Sequence, residues 1–219
     1  VKTEEEAKKI AAACEKKQAV VSSLKQETKT VNAPKLYDLT TLQREANRYY
    51  GFTAQQTLDL VQTLYEKKLL TYPRTDSQFI TDDMEDTARQ VISIVCRQLP
   101  LFSGVSVTPD IAHVTDNSKV TDHHAILPTV QLEKQDVSAL PQSEQKILNL
   151  VGMRLLCATG EKHTYAETQI TLSCKDYAFK TKGRTVVQNG WKAIEELFKA
   201  SLKTKEKDDP MKSLPEVHE

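Results

Sequence analysis

The chain changes from helical to extended sequence at residues 70–77, which read LTYPRTDS. Upstream, Thr53 and Gln56 form a capping-box pattern that predicts the start of a helix. The apolar stripe of that helix consists of Leu58, Val61, Leu64 and Tyr65. Downstream, Thr81 opens a second predicted helix, which Pro100 ends. Its apolar face consists of Ala88, Val91, Ile92, Val95 and Leu99. Residues 70–77 therefore connect two amphipathic helices.

Helical sequence continues further out on both sides of this pair. Thr40 and Gln43 repeat the capping-box pattern and predict a helix through Tyr49, with Gly51 at its end. Residues after Pro141 predict another helix, because proline is tolerated in a first helical turn.

The hydrophobic period changes to two at both ends of the chain. Residues 17–31 predict an extended segment, and residues 163–174 and 177–187 predict two strands joined by a turn at Lys175–Asp176. We therefore expect an α+β fold in which a helical domain, residues 37–160, is inserted into a β-rich domain. Residues 1–36 form the first part of that domain, and residues 161–219 form its second part and a C-terminal linker.

The composition is typical of a folded protein without a membrane span. The 219 residues include 30 basic and 30 acidic side chains, and no apolar run approaches the about 18 residues that a spanning helix needs. No charged-then-apolar leader is present, so we expect a cytoplasmic protein with reduced cysteines. None of the four cysteines has the Cys-x-x-Cys spacing of a zinc site. Because the chain begins with Val1 inside a helical pattern, we expect it to be a piece of a longer protein.

Residues 70–77 combine a phenol, a guanidinium and a carboxylate. A turn explains the proline, threonines, aspartate and serine without any catalytic function. A tyrosine hydroxyl, with an ordinary pKa of roughly 10, needs nearby positive charge to attack phosphorus. Arg74, two residues after Tyr72, would lie on the same side of an extended segment and could donate two hydrogen bonds to a phosphate.

Residues 122–129, DHHAILPT, contain adjacent histidines. Neighbouring side chains of a strand point to opposite sides, so His123 and His124 are poorly placed to bind one metal ion. Either histidine could be structural, donate to a phosphate or transfer a proton. Residues 15–35 and 160–206 together carry 14 basic and 8 acidic side chains, which suits a solvated strand face or nucleic acid equally well.

Five ordered blocks resemble the type IA DNA topoisomerases, and among them the bacterial topoisomerase III branch. They are LYDLTTLQREA (36–46), GFTA (51–54) with Thr57-Leu58, LYE (64–66), LTYPRTDS (70–77) and HHAILPT (123–129). The resemblance implies an enzyme that cuts one DNA strand through a 5′-phosphotyrosine, passes a strand and reseals the break without ATP. It further implies that the β-rich part is an arch with the helical tyrosine domain at its tip.

The resemblance also implies roles for individual residues. Tyr72 would be the nucleophile, and Arg74 and His123 would hold the scissile phosphate; His124 receives no role. The residues implied to contact DNA are Thr41, Gln43, Arg44, Thr75, Asp76 and Ser77. The family binds Mg²⁺ on a separate Toprim domain, and this sequence lacks an Asp-x-Asp motif. We therefore expect no metal ligands here, and we expect single-stranded DNA and the remaining domains of the parent chain as partners. The isolated chain should be inactive.

Three alternatives remain open at this point. A single-stranded nucleic-acid-binding module would use the basic strands and stack Tyr72 on a base. A relaxase-type nicking enzyme also joins tyrosine to a 5′ phosphate, but it uses histidines separated by one residue. A non-catalytic scaffold would not require the five ordered blocks.

Overall fold

A computed structural model describes residues 2–202 of the chain. The helices are α1 (Glu4–Cys14), α2 (Leu39–Tyr50), α3 (Ala54–Glu66), α4 (Glu85–Gln98), α5 (Gln142–Ala158) and α6 (Lys192–Ser201), and the strands are β1 (Val20–Val31), β2 (His163–Cys174) and β3 (Tyr177–Gln188). The predicted α+β class is confirmed. The linker predicted within residues 203–219 lies outside the described residues.

The described residues form two compact units. A β-rich unit contains residues 2–31 and 164–188, and a helical unit contains residues 32–163 and 189–202. The sequence predicted that residues 161–219 form the second part of the β-rich domain and a C-terminal linker. The structure instead groups residues 189–202 with the helices, because α6 buries Ile194 and Phe198 there. The Phe198 ring packs edge to face on Tyr49, with the ring centroids 5.3 Å apart.

The β-rich unit is a three-stranded sheet in the order β1-β2-β3. β2 and β3 form an antiparallel hairpin, and the predicted turn holds Lys175 at a φ of 51°. From Ala166 to the end of β2, every fourth residue is buried, namely Ala166, Ile170 and Cys174, so one face of this strand is apolar.

The helical unit is built around α5. This helix contacts α2, α3, α4 and α6, and its buried residues include Ile147, Leu150, Val151 and Leu155. A helix with apolar residues on most of its circumference is typical of a buried core element. At Gly152, an added Cβ would lie 2.7 Å from Cδ1 of Leu99, so glycine permits the close approach of α5 to the end of α4.

Two helix starts were predicted by the same motif, with different outcomes. The Thr53–Gln56 capping box is confirmed, since each side chain bonds the backbone of the other residue. The capping box predicted at Thr40 is wrong, because α2 already begins at Leu39. There the Asp38 carboxylate accepts a hydrogen bond from the Thr41 amide at 2.6 Å, and a charged acceptor at this position also complements the helix dipole. Gly51 ends α2 as predicted, with a φ of 70°.

Among residues 2–202, no helix combines the length and the apolar character needed to cross a membrane.

Candidate active site

Two segments that are about fifty residues apart in sequence lie side by side in the helical unit. Leu70 pairs with Pro128 in an isolated antiparallel bridge. The Thr71 amide donates to the Leu127 carbonyl at 2.9 Å, and the Ala125 amide donates to the Phe79 carbonyl at 2.9 Å. These backbone bonds fasten residues 70–79, which include the LTYPRTDS segment, to the HHAILPT segment.

Two threonine side chains strengthen this attachment on either side of Tyr72. The Thr71 hydroxyl donates to the Ala125 carbonyl at 3.1 Å and accepts from the Leu127 amide at 2.9 Å. The Thr75 hydroxyl donates to the His123 carbonyl at 2.9 Å. Because these groups are largely shielded from water, their hydrogen bonds restrict the local backbone, and the tyrosine is held next to the first histidine.

The Tyr72 ring contacts two other rings. Its centroid is 4.2 Å from the His123 ring centroid, with the planes 38° apart. Tyr65 of α3 also packs edge to face with Tyr72, with the ring centroids 5.6 Å apart. Tyr72 is half-buried, whereas His123 and Tyr65 are exposed. The Tyr72 ring is therefore held by two aromatic contacts and is still partly exposed to solvent.

Arg74 and His123 line one open cleft of about 550 Å³. The remaining lining residues are Asp38, Leu39, Thr40, Thr75, Asp76, Thr121 and Asp122. The Arg74 side chain is exposed, and its Nη1 donates to Oε1 of Gln62 at 3.3 Å. A neutral acceptor at this distance can be exchanged for a charged phosphate, which forms a stronger hydrogen bond with a guanidinium. The cleft thus holds two possible donors to an anionic group, Arg74 and His123, beside the carboxylates of Asp38, Asp76 and Asp122.

The predicted DNA contacts on α2 already have partners within the protein. The Thr41 hydroxyl accepts from Gln78 Nε2 at 3.1 Å. Gln43 Nε2 donates to the Ala54 carbonyl at 3.0 Å and connects α2 to the start of α3. Arg44 is exposed and donates to the Thr41 hydroxyl at 3.4 Å. Of the three, Arg44 is the most accessible to a ligand.

The predicted contacts after Arg74 are placed differently from one another. Thr75 and Ser77 are buried, with 7% and 5% of their surface exposed. The Ser77 hydroxyl donates to the Lys119 carbonyl at 2.8 Å, so both hydroxyls shape the loop. Asp76 is exposed in the cleft. His124 is half-buried, with Nδ1 2.8 Å from the Ala125 carbonyl oxygen.

Sequence reasoning missed Tyr65 and Gln62 as part of the site. Tyr65 was assigned to the apolar stripe of α3, but it is 39% exposed and contacts Tyr72. Gln62 lies one turn earlier on α3 and accepts from Arg74. Their i, i+3 spacing places both side chains on one face of α3, and this shared face could be predicted from the sequence. Nothing in the sequence showed that this face meets the tyrosine.

A largely buried polar cluster at α2 consists of Tyr37, Glu45 and Arg154. The Tyr37 hydroxyl and Arg154 both donate to the Glu45 carboxylate, and the Arg154 guanidinium lies 4.4 Å from the Tyr37 ring centroid. Burial raises the pKa of Tyr37 well above its ordinary value, so its hydroxyl stays protonated and acts as a donor. The cluster connects α2 to α5 across more than a hundred residues of sequence.

Within residues 2–202, no three histidine, cysteine, aspartate or glutamate side chains come together in a way that could hold a metal ion. Asp38, Asp76 and Asp122 all line the cleft but do not form such a group. The described residues therefore do not fit the magnesium site of the family, and no chemical step is assigned to a metal ion here.

The chain matches known proteins over most of its length. A family model described as DNA topoisomerase matches residues 1–219. DNA topoisomerase 3 of Bacillus subtilis (strain 168) is 36% identical over 214 residues, which cover 91% of this chain and 28% of that protein. DNA topoisomerase 3 of Bacillus cereus (strain ATCC 10987) is 37% identical over 187 residues, covering 83% and 25% of the two chains.

A solved structure agrees with these sequence matches. Full-length topoisomerase I from Thermotoga maritima superposes with a TM-score of 0.66 and 26% identity, covering 89% of this chain and 32% of that one. The chain thus spans about a third or less of the relatives it matches. The match over all 219 residues, together with a fold that brings the LTYPRTDS and HHAILPT blocks into contact, shows that the chain belongs to the type IA DNA topoisomerases.

Proposed function

We propose that the longer protein containing this chain breaks and reseals one DNA strand, with Tyr72 as the nucleophile. The observation that carries the proposal is the packing of the Tyr72 ring against His123 beside the cleft that Arg74 lines. The cleft offers a phosphodiester two donors next to a partly accessible phenol. Because the chain spans 28% of its B. subtilis relative, the complete activity belongs to the longer protein.

The proposed reaction exchanges one phosphate ester for another. The Tyr72 oxygen attacks phosphorus and loses its proton, the bond from phosphorus to the 3′ oxygen breaks, and that oxygen gains a proton. The 5′ end is then esterified to the tyrosine. Since an ester bond is conserved, the reverse attack by the 3′ hydroxyl reseals the strand without ATP.

Arg74 and His123 supply positive charge and hydrogen bonds in this proposal. A guanidinium close to the phosphate stabilises the charge that develops in the transition state and favours the phenolate form of the nucleophile. His123 would donate to a second phosphate oxygen. The exposure of both side chains supports these roles, because neither must leave the protein core to reach DNA.

The direct test is covalent capture of DNA by the longer protein. Wild-type protein is mixed with 5′- and 3′-labelled single strands and separated by denaturing electrophoresis. We expect a protein–DNA adduct that Tyr72→Phe abolishes and that the control Tyr177→Phe, on β3, retains. An adduct of undiminished yield with Tyr72→Phe would refute the assignment. Complete absence of a wild-type adduct, with binding intact, would favour a binding module.

A second comparison separates catalysis from binding. In the longer protein, Arg74→Ala should reduce cleavage far more than it reduces DNA affinity, because its proposed contact strengthens in the transition state. Equal losses of both would make Arg74 a simple phosphate anchor. Since no metal-binding group is found among residues 2–202, we also expect no magnesium-dependent relaxation of supercoiled DNA by the 219-residue chain alone.

A further inference from the structure

A row of cations follows one face of the hairpin in the β-rich unit. Lys180, Lys182 and Arg184 occupy alternate positions of β3, opposite Thr171, Gln169 and Glu167 of β2, respectively. Residues directly opposite each other in an antiparallel pair lie on the same face of the sheet. These six residues therefore define one surface, which we call the basic face.

The positive charge of the basic face is only partly compensated. Glu167 is paired twice, with Lys29 of β1 at 2.5 Å and with Arg184 at 3.3 Å. Lys180 and Lys182 are exposed, and neither forms an ion pair with any of the residues 2–202. Two adjacent ammonium groups thus remain available to an anionic partner.

The spacing of these cations fits a regular polyanion. Alternate residues of a strand are about 6.8 Å apart. This is close to the separation of successive phosphates in a single strand whose bases are unstacked, and such a strand could place one phosphate at each cation. An acidic protein segment has no comparable fixed repeat unless it is itself an extended strand.

One end of the row also offers a stacking surface. The Arg184 guanidinium lies over the Tyr165 ring, 4.7 Å from its centroid, on the same face. Aromatic rings and guanidinium planes stack on nucleic-acid bases without regard to sequence. The face therefore combines backbone-binding cations with a planar group, as single-strand-binding proteins do.

We propose that the basic face binds the sugar–phosphate backbone of single-stranded nucleic acid, without covalent chemistry and independently of Tyr72. The alternative is that these lysines bind no ligand and only prevent β3, an edge strand, from pairing with a strand of another chain. The proposal goes beyond the cleavage reaction, because that reaction uses residues of the helical unit.

The test measures how salt affects binding of a fluorescein-labelled oligothymidylate by the 219-residue chain, using fluorescence anisotropy. The variant is Lys180→Gln/Lys182→Gln, and the control is Lys9→Gln/Lys17→Gln, which removes the same charge from exposed positions elsewhere. Urea midpoints of all three proteins establish that the fold is kept.

Loss of two phosphate contacts should reduce the salt slope of log K by about 1.4, since each contact contributes about 0.7 for a single strand. The wild-type to variant affinity ratio should then shrink about sevenfold between about 50 and 200 mM salt. The control should keep the wild-type slope.

Three outcomes would overturn the proposal. An unchanged salt slope in the Lys180→Gln/Lys182→Gln variant would mean that the two lysines contact no phosphate and only protect the edge strand. Absence of binding by the wild-type chain at about 50 mM salt would exclude a useful site. Equal binding of a labelled polyglutamate, with the same slope change, would assign the face to acidic proteins. None of these results affects the covalent test of Tyr72, so the two proposals fail independently.

Discussion

Replacement of Glu45 by alanine is expected to be among the most damaging single substitutions in the helical unit. The Glu45 side chain is 22% exposed and the Arg154 side chain 11% exposed, while Tyr37 is completely buried. Glu45→Ala would leave a guanidinium and a hydroxyl without their shared acceptor. Removing one partner of a buried ion pair costs about 3–5 kcal/mol. Because water can reach part of the Glu45 site, we expect the lower end, about 3 kcal/mol.

Two companion variants make this reasoning testable. Tyr37→Phe removes one donor and leaves the ion pair intact, so it should cost only about 1 kcal/mol. Glu45→Leu/Arg154→Met removes both charges together and should be close to neutral, because neither partner is then left buried alone. The order of stabilities, and not one value, tests the argument.

The assay is urea unfolding followed by tryptophan fluorescence. Trp191 is the only tryptophan of the chain and belongs to the helical unit, so its signal reports on that unit. With a urea dependence of about 2 kcal/mol per molar, the Glu45→Ala midpoint should fall by about 1.5 M. A Glu45→Ala midpoint no lower than that of Tyr37→Phe would refute the account, since it would mean that water satisfies Arg154.

Three further predictions concern other contacts. In the longer protein, Tyr65→Leu removes the ring that packs on Tyr72. This substitution should slow DNA cleavage about two- to tenfold while DNA affinity stays unchanged. An unchanged cleavage rate would contradict a role of Tyr65 in positioning Tyr72. Burial raises the pKa of the Cys157 thiol, which therefore reacts slowly in the folded chain. Mass spectrometry should detect alkylation of Cys157 by iodoacetamide only in urea that unfolds the helical unit. Rapid alkylation of the native chain would be inconsistent with this prediction. The hydrogen bond from Lys29 lowers the pKa of Glu167 below the ordinary carboxyl pKa of 4.5. The pair therefore stabilises the fold when the pH is above that ordinary pKa, and the stabilisation is lost as the pH falls through the lowered pKa. Thermal unfolding followed by circular dichroism should therefore show wild type and Glu167→Gln converging in acid, and a constant difference would disprove this linkage.

Much of the local structure could be predicted from the sequence because its causes are local. The capping box at Thr53 depends on residues three apart, and the end of α2 at Gly51 depends on one residue that tolerates a positive φ. The apolar period of α4 likewise identified its buried face, including Val91 and Val95. The capping-box pattern selects Thr40, which has Gln43 three residues later, whereas the observed N-cap, Asp38, is followed by Thr41 at that distance and lacks the pattern.

The ordered motifs were also sufficient to identify the family, since five blocks in sequence are a property of the chain itself. The roles of Tyr72, Arg74 and His123 could be assigned only as implications of that resemblance. Their chemistry requires proximity, and no pattern of residues showed that positions 72 and 123 would meet.

Only the tertiary structure decided which side chains surround the tyrosine. Backbone pairing of Leu70 with Pro128 brings His123 against the Tyr72 ring, and the packing of α3 brings Tyr65 against the same ring. The contact between Glu45 and Arg154 likewise joins residues more than a hundred positions apart. Local preferences act over a few residues, whereas these contacts form because burying the apolar faces of several helices in one core determines where their remaining side chains lie.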